Sequence, residues 1–279
     1  MTSKSKTQSG DASAPAAKSD FSLISSEKLL DLYCTMLKCR ILTERSRILI
    51  KNHKLSGRFH AAAGREAATA GVVIDLLPED TVATAANDLI PCFIHGLPLR
   101  ALVEKISSPI ALSSGIASWL KSAADAAAAN KGRNNNKIVV VFSARESAFD
   151  AAWRETLSFA GLHCLAMIFV SWTAQPTQSP THDSKAKAEG ISLKKKVCSF
   201  PSMAVDGNDA VAVYRVAHEA IAHARMGHGP TLIDCQIDLS NPGDPILNMQ
   251  NYLTRKGLFT DGFKAEVEAR FKKELDASI

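Results

Sequence analysis

Lys137-Ile138-Val139-Val140-Val141-Phe142 is the stretch that decides the fold. An apolar, β-branched run with no polar alternation marks a strand buried on both faces, the habit of parallel sheets covered by helices. Working outward, Leu165-Ala166-Met167-Ile168-Phe169-Val170 and Thr231-Leu232-Ile233-Asp234-Cys235 have the same character, and Thr81-Val82-Ala83-Thr84 is a shorter strand. Helical patterns stand between them, at about 116–129, 148–160 and 209–225. Strands alternating with helices predict an α/β domain with a doubly wound, mostly parallel sheet. Ligands of such sheets bind beyond the carboxyl ends of the strands, so chemistry is expected just after Val141 and Val170.

The flanks read as follows. Ser25 and Ser26 are candidate N-caps of a helix running to about Lys54, with Leu29, Tyr33, Met36, Leu37, Ile41 and Ile48 at helical spacing. A small-residue helix is expected over about 65–76, then a turn at Pro78-Glu79-Asp80 and helical segments at about 88–95 and 98–106. Residues 173–200 read as a mostly polar loop, and 257–279 as a charged amphipathic helix. The first 20 residues, rich in Ser, Ala, Lys and Thr, read as a disordered tail before a single domain over 21–279.

With 46% apolar residues and a formal charge of +5, the composition is that of an ordinary globule. Lys194-Lys195-Lys196 is a solvated run without the interleaved aromatics of a nucleic-acid surface, so no nucleic-acid partner is expected. No apolar run approaches the ~20 residues of a membrane helix, and the N-terminus lacks the apolar core of a signal peptide. The six cysteines, Cys34, Cys39, Cys92, Cys164, Cys198 and Cys235, form no CxxC pair and read as reduced, mostly buried thiols of a cytoplasmic protein.

Three further stretches carry a resemblance. They are Gly57…His60…Gly64-Arg65-Glu66-Ala67, Leu76-Leu77-Pro78-Glu79-Asp80, and Asp206-Gly207-Asn208-Asp209 followed by Ala224-Arg225-Met226-Gly227-His228-Gly229-Pro230-Thr231-Leu232. In this order and spacing the chain resembles the alpha subunit of the thiamine-diphosphate-dependent 2-oxoacid dehydrogenases. These are the decarboxylating first components of pyruvate and branched-chain oxoacid dehydrogenase complexes. The resemblance runs from about Leu29 to Gly257, with deletions. It implies the thiamine-diphosphate-binding fold and a magnesium diphosphate site here, with the aminopyrimidine held by a separate beta subunit.

The ligand positions of that family depart from its pattern. Magnesium demands near-octahedral oxygen ligands, which the family supplies from a Gly-Asp-Gly turn after one strand and an Asn-Asn after the next. Here the first turn reads Phe142-Ser143-Ala144-Arg145-Glu146 and the second Ser171-Trp172-Thr173-Ala174. Arg145 would add positive charge beside a cation site. The family's diphosphate-contacting Tyr-Arg-Asp is Ala86-Asn87-Asp88, so a phosphate-binding arginine fork is gone. The loop after Ser108 is shortened. So is the Gly-His-Ser loop before Asp244-Pro245-Ile246, where Asn241-Pro242-Gly243 reads as a tight turn. Charge-assisted contacts contribute roughly 1.5–3 kcal/mol each, so these losses together would weaken cofactor binding greatly.

What remains as a candidate set is His60 as a catalytic group and Asp88, Ser143, Glu146 and Thr173 as cofactor ligands, with no metal site expected. Glu66 and Asp206-Gly207-Asn208-Asp209 read as structural, with Asn208 or Asp209 as a helix cap. His218, His223 and His228 fall five apart, which is unfavourable for shared ligation on a helix. Ser143 with His163 lacks a nucleophile-elbow motif. The expected function is a degenerate, non-catalytic or regulatory alpha-subunit homologue that pairs with itself or with a beta-subunit-like protein. The alternative is active oxidative decarboxylation of a 2-oxoacid with a beta subunit, using thiamine diphosphate and magnesium. A third reading places a small anion between Arg145 and Lys137.

Overall fold

The computed structural model describes residues 24–52, 64–85, 88–107, 116–144, 151–175, 200–238 and 243–278. The expected N-terminal tail, the Lys194-Lys195-Lys196 run and Cys198 lie outside these residues.

The strands β1 (Thr81–Ala83), β2 (Val139–Ala144), β3 (Met167–Gln175), β4 (Ser202–Asp206) and β5 (Thr231–Asp238) form one sheet in the order β1-β2-β3-β5-β4. Every pairing is parallel. The fold is therefore the α/β architecture that the apolar runs predict. Side chains alternate along β2 and β3. Val140, Phe142, Ile168 and Val170 join one apolar cluster, while Val139, Val141, Met167 and Phe169 join another on the opposite face.

The helices are α1 (Ser26–Lys51), α2 (Glu66–Val73), α3 (Ile90–Ile94), α4 (Leu99–Ser107), α5 (Ile116–Gly132), α6 (Ala151–Leu162), α7 (Ala210–Arg225), α8 (Pro245–Arg255) and α9 (Asp261–Asp276). α5 and α6 cover one sheet face through Leu120, Ala127, Trp153 and Leu157. α2 and α7 cover the other through Ala68, Val72, Val213 and Ala217. Beyond α2, a helical layer of α1, α3, α4, α8 and α9 packs around Leu32, Tyr33, Met36, Leu102, Leu253 and Phe271. Among the described residues no helix is long and apolar enough to cross a membrane.

Caps place the helix starts. Ser25 Oγ accepts from Lys28 N at 3.2 Å, and Asp209 Oδ1 accepts from Val211 N and Ala212 N at 2.9 and 3.0 Å. Asp244 Oδ1 accepts from Ile246 N at 2.9 Å, with Pro245 opening α8, and Thr260 Oγ1 accepts from Phe263 N at 3.2 Å.

Several elements differ from the sequence reading, α8 among them, which it did not contain. The segment expected as a polar loop from 173 to 200 is strand as far as Gln175, because the backbone of Thr173, Ala174 and Gln175 continues to pair with Gln236, Ile237 and Asp238. β4 follows that segment as an edge strand with Val205 buried and its neighbours half-buried or exposed. So little apolar surface leaves no run to recognise. Cys164 also differs from the expected burial: it is exposed, while Cys39 and Cys235 are buried. Burial pushes the Cys235 thiol up to about 12, which keeps it protonated and inert.

Candidate functional site at the carboxyl end of the sheet

The carboxyl ends of β2, β3 and β5 carry a polar row on the α5/α6 face. Ser143 stands in register with Ser171, and Ser171 with Asp234. Ser171 Oγ donates to Asp234 Oδ1 at 3.1 Å. Ser143 and Ser171 are both buried and Asp234 is half-buried, so most of the row lies in the sheet's interior.

The opposite face ends differently. Trp172 packs on the α2/α7 cluster, its ring 5.9 Å from that of Phe142. The Arg65 guanidinium lies over the Trp172 ring at 4.5 Å from its centroid and pairs with Asp88 at 3.5 Å. Arg65 and Asp88 side chains are only 15% and 10% exposed, so this pair is held in a largely dry corner.

The next residue anchors the corner from behind. Glu66 is fully buried, accepts from Gly64 N at 2.8 Å and pairs with Arg40 Nε at 2.5 Å. Arg40 then donates through both terminal nitrogens to Asp244, at 3.1 and 3.2 Å. Partial burial alone would raise the Asp244 carboxyl. The Arg40 hydrogen bonds and the α8 backbone N–H of Ile246 outweigh it and hold Asp244 below the usual carboxylate range. Thus α1, the start of α2 and the start of α8 share one charge network.

At the end of β4, Asp206 Oδ1 accepts from Asn208 N at 2.9 Å, and Gly207 N donates to Gln236 O at 2.7 Å. A Cβ on Gly207 would meet Ile237 Cγ1 at 2.8 Å, so this turn needs glycine for closeness. Of the two expected caps, Asp209 is the one used. A cleft of about 660 Å³ opens beside the turn, between Asp206, Asn208 and Asp209 and the α8 residues Asn248, Asn251 and Arg255.

The remaining recurrent motifs meet at the amino end, away from this site. Asp80 has a fully buried side chain that accepts both Arg225 terminal nitrogens, at 3.2 and 2.6 Å, as well as Leu77 N and Ile138 N. Arg225 also donates to Asn136 O at 2.8 Å. The Leu-Leu-Pro-Glu-Asp turn and the Ala-Arg-Met-Gly stretch are therefore two halves of one buried tie.

The candidate residues from the sequence separate accordingly. Asp88 sits in the Arg65–Trp172 corner, while Ser143 follows Val141 on the other sheet face. Thr173 lies on β3, paired with Gln236. His60 and Glu146 lie outside the described residues. Arg145 lies outside the described residues, and the reading of an anion between Lys137 and Arg145 falls there with it. Ser143 and His163 are divided: His163 follows α6 at the amino end. His223 and His228 rings stand 5.1 Å apart, but His218 instead faces Asp75 at 3.6 Å.

Sequence reasoning missed Arg65, Trp172 and Arg40 as a group. Arg65 stands inside the Gly64-Arg65-Glu66-Ala67 motif, but its partners are distant in sequence and become visible only in the fold. Chemically, this corner presents a guanidinium and an indole, with the Asp88 carboxylate already paired. Among the described residues no group of three or more His, Cys, Asp or Glu stands ready for a metal ion.

Residues 104–237 match the family described as Dehydrogenase E1 component. The chain is 26% identical to the pyruvate dehydrogenase E1 component subunit alpha of Staphylococcus aureus, over 92% of this chain and 78% of that one. The Staphylococcus epidermidis subunit matches with the same identity and coverage. Among solved structures, a Mycobacterium smegmatis protein provisionally assigned to the thiamin diphosphate-dependent enzymes aligns with a TM-score of 0.38 and 17% identity. That alignment covers 60% of this chain and 31% of the other.

Proposed function

We propose that this chain, a homologue of the alpha subunits of 2-oxoacid dehydrogenase E1 components, is a non-catalytic subunit that keeps the family's scaffold and assembly role. The observation that carries this reading is the Arg65–Trp172–Asp88 corner at the sheet's carboxyl end. A magnesium diphosphate needs free oxygen ligands for the metal and cationic donors for the phosphates. Here the carboxylate of Asp88 is paired with Arg65, whose guanidinium covers the Trp172 indole, so the described residues of this corner offer neither an unpaired oxygen ligand nor an unpaired cation. The described residues of this corner do not fit the group, and no chemical step is assigned through it.

The parts retained are those that fold the chain. The Asp80–Arg225 tie and the Gly207 turn hold strand ends and helix starts in place. A scaffold so kept, with its ligand positions changed, fits a subunit selected for association. The partner in this reading is a second copy or a beta-subunit-like protein, in the cytoplasm.

Calorimetric titration of the full chain with thiamine diphosphate and magnesium tests the proposal. No saturable heat is expected at micromolar cofactor, either alone or with a beta subunit present. Saturable micromolar binding, or 2-oxoacid-dependent acceptor reduction by the mixture, overturns it.

A further inference from the structure

We propose that Arg65 is an internal lock that closes the α2 side of the sheet's carboxyl end, so that this corner is completed by the chain itself rather than by a ligand. The proposal rests on the non-catalytic reading above and specifies the residue that fills the corner.

The geometry joins three separate pieces of chain. Arg65 stands at the start of α2, Asp88 lies just ahead of α3, and Trp172 lies on β3. The guanidinium reaches the last two at once, 3.5 Å from the Asp88 carboxylate and 4.5 Å from the indole centroid. Arginine suits this place because its planar cation stacks on an aromatic face while its edge donates to a carboxylate. A lysine ammonium would supply the charge without the stacked plane.

The lock is pre-set by its neighbours. Gly64 N and Arg40 grip Glu66, and Arg40 grips Asp244, so the backbone that carries Arg65 is tied to α1 and α8. Indole packing against Phe142 fixes the other side. With both charged side chains mostly out of water, removing one partner takes a charge-paired contact from the other in a dry site. A loose surface pair would have neither property.

The test uses the full chain and reads two quantities, the thermal midpoint and acrylamide quenching of Trp172. Trp172 is one of three tryptophans, so a Trp172→Phe variant isolates its signal from those of Trp119 and Trp153. Arg65→Gln is expected to lower the midpoint by about 3 °C or more, the scale of a lost buried contact in a domain of this size. It is also expected to raise quencher access to Trp172. Arg65→Gln with Asp88→Asn should recover part of the midpoint, since both charges are then removed together, yet leave Trp172 accessible. Arg65→Lys should recover part of the midpoint with little recovery of the shielding. Unchanged midpoint and quenching in Arg65→Gln overturn the lock and leave the non-catalytic reading standing. Saturable binding of magnesium and thiamine diphosphate by the wild-type chain overturns that reading, whereas the two Arg65 readouts still decide the lock.

Discussion

At the scale of single residues, the contrast between Asp80 and Asp88 explains what this chain has kept. Both are buried carboxylates paired with an arginine. Asp80 holds the amino end, with both Arg225 terminal nitrogens and two backbone N–H groups converging on it. Its side chain is fully buried, so any change that removes Arg225 or the charge it faces breaks a buried pair. Asp80→Asn is therefore expected to lower unfolding free energy by about 3 kcal/mol, and Arg225→Met by a similar amount. In urea unfolding the double variant should cost clearly less than the sum of the two. Strict additivity would mean that the two side chains act independently.

At the scale of elements, α1, α2, α7 and α8 are joined by carboxylates whose acidity is altered by their partners. Asp75, at the end of α2, accepts from Tyr214 Oη at 2.5 Å and pairs with Lys28 at 2.9 Å. Burial would raise Asp75, but the Tyr214 and Lys28 hydrogen bonds outweigh it and hold it below the usual range, as Arg40 does for Asp244. A carboxylate with a lowered folded pKa contributes stability above its unfolded value of about 3.9. That contribution is lost as pH falls through the lower folded value. Stability should therefore decline below about pH 4–5, and Asp75→Asn should flatten the decline in acid titrations of unfolding. Asp244→Asn should flatten it too while keeping the α8 start capped, because asparagine is an equally good N-cap. A wild-type slope in both variants would show that other carboxylates govern acid unfolding.

Element by element, legibility in the sequence followed the amount of apolar surface buried. Val139-Val140-Val141 and Ile168-Phe169-Val170 are buried on both sides and announce themselves. β4 does not, because an edge strand with one buried side chain leaves no such run. α8 goes unassigned in the sequence reading although its cap and proline, Asp244-Pro245, are followed by Ile246, Met249 and Leu253 at helical spacing. The candidate site was less legible for another reason. Ser143 and Asp88 were grouped by motif position, but strand alternation and the placing of α2 put them on opposite faces of the sheet. Arg65 gained meaning only from Trp172, a residue far along the chain.

At the scale of the whole molecule, α2 is the element on which the two halves of the structure depend. Every one of its residues is buried. Ala67 and Ala70 face the helical layer, while Ala68, Val72 and Val73 face the sheet. Its small side chains let α7 approach so closely that a Cβ on Gly71 would meet Val213 Cγ1 at 2.8 Å and Tyr214 N at 3.0 Å. Helix propensity alone would favour alanine there by about 1 kcal/mol. Overpacking opposes it, at typically 1–3 kcal/mol when a backbone must shift, and the Tyr214 backbone is one of the two obstacles. Gly71→Ala is thus expected to destabilise the protein by about 1–2 kcal/mol net. Because α2 belongs to both cores, hydrogen exchange should accelerate together in α1 and in β2 and β3. Acceleration confined to one layer would mean that the helical layer and the sheet unfold separately, and that α2 does not couple them.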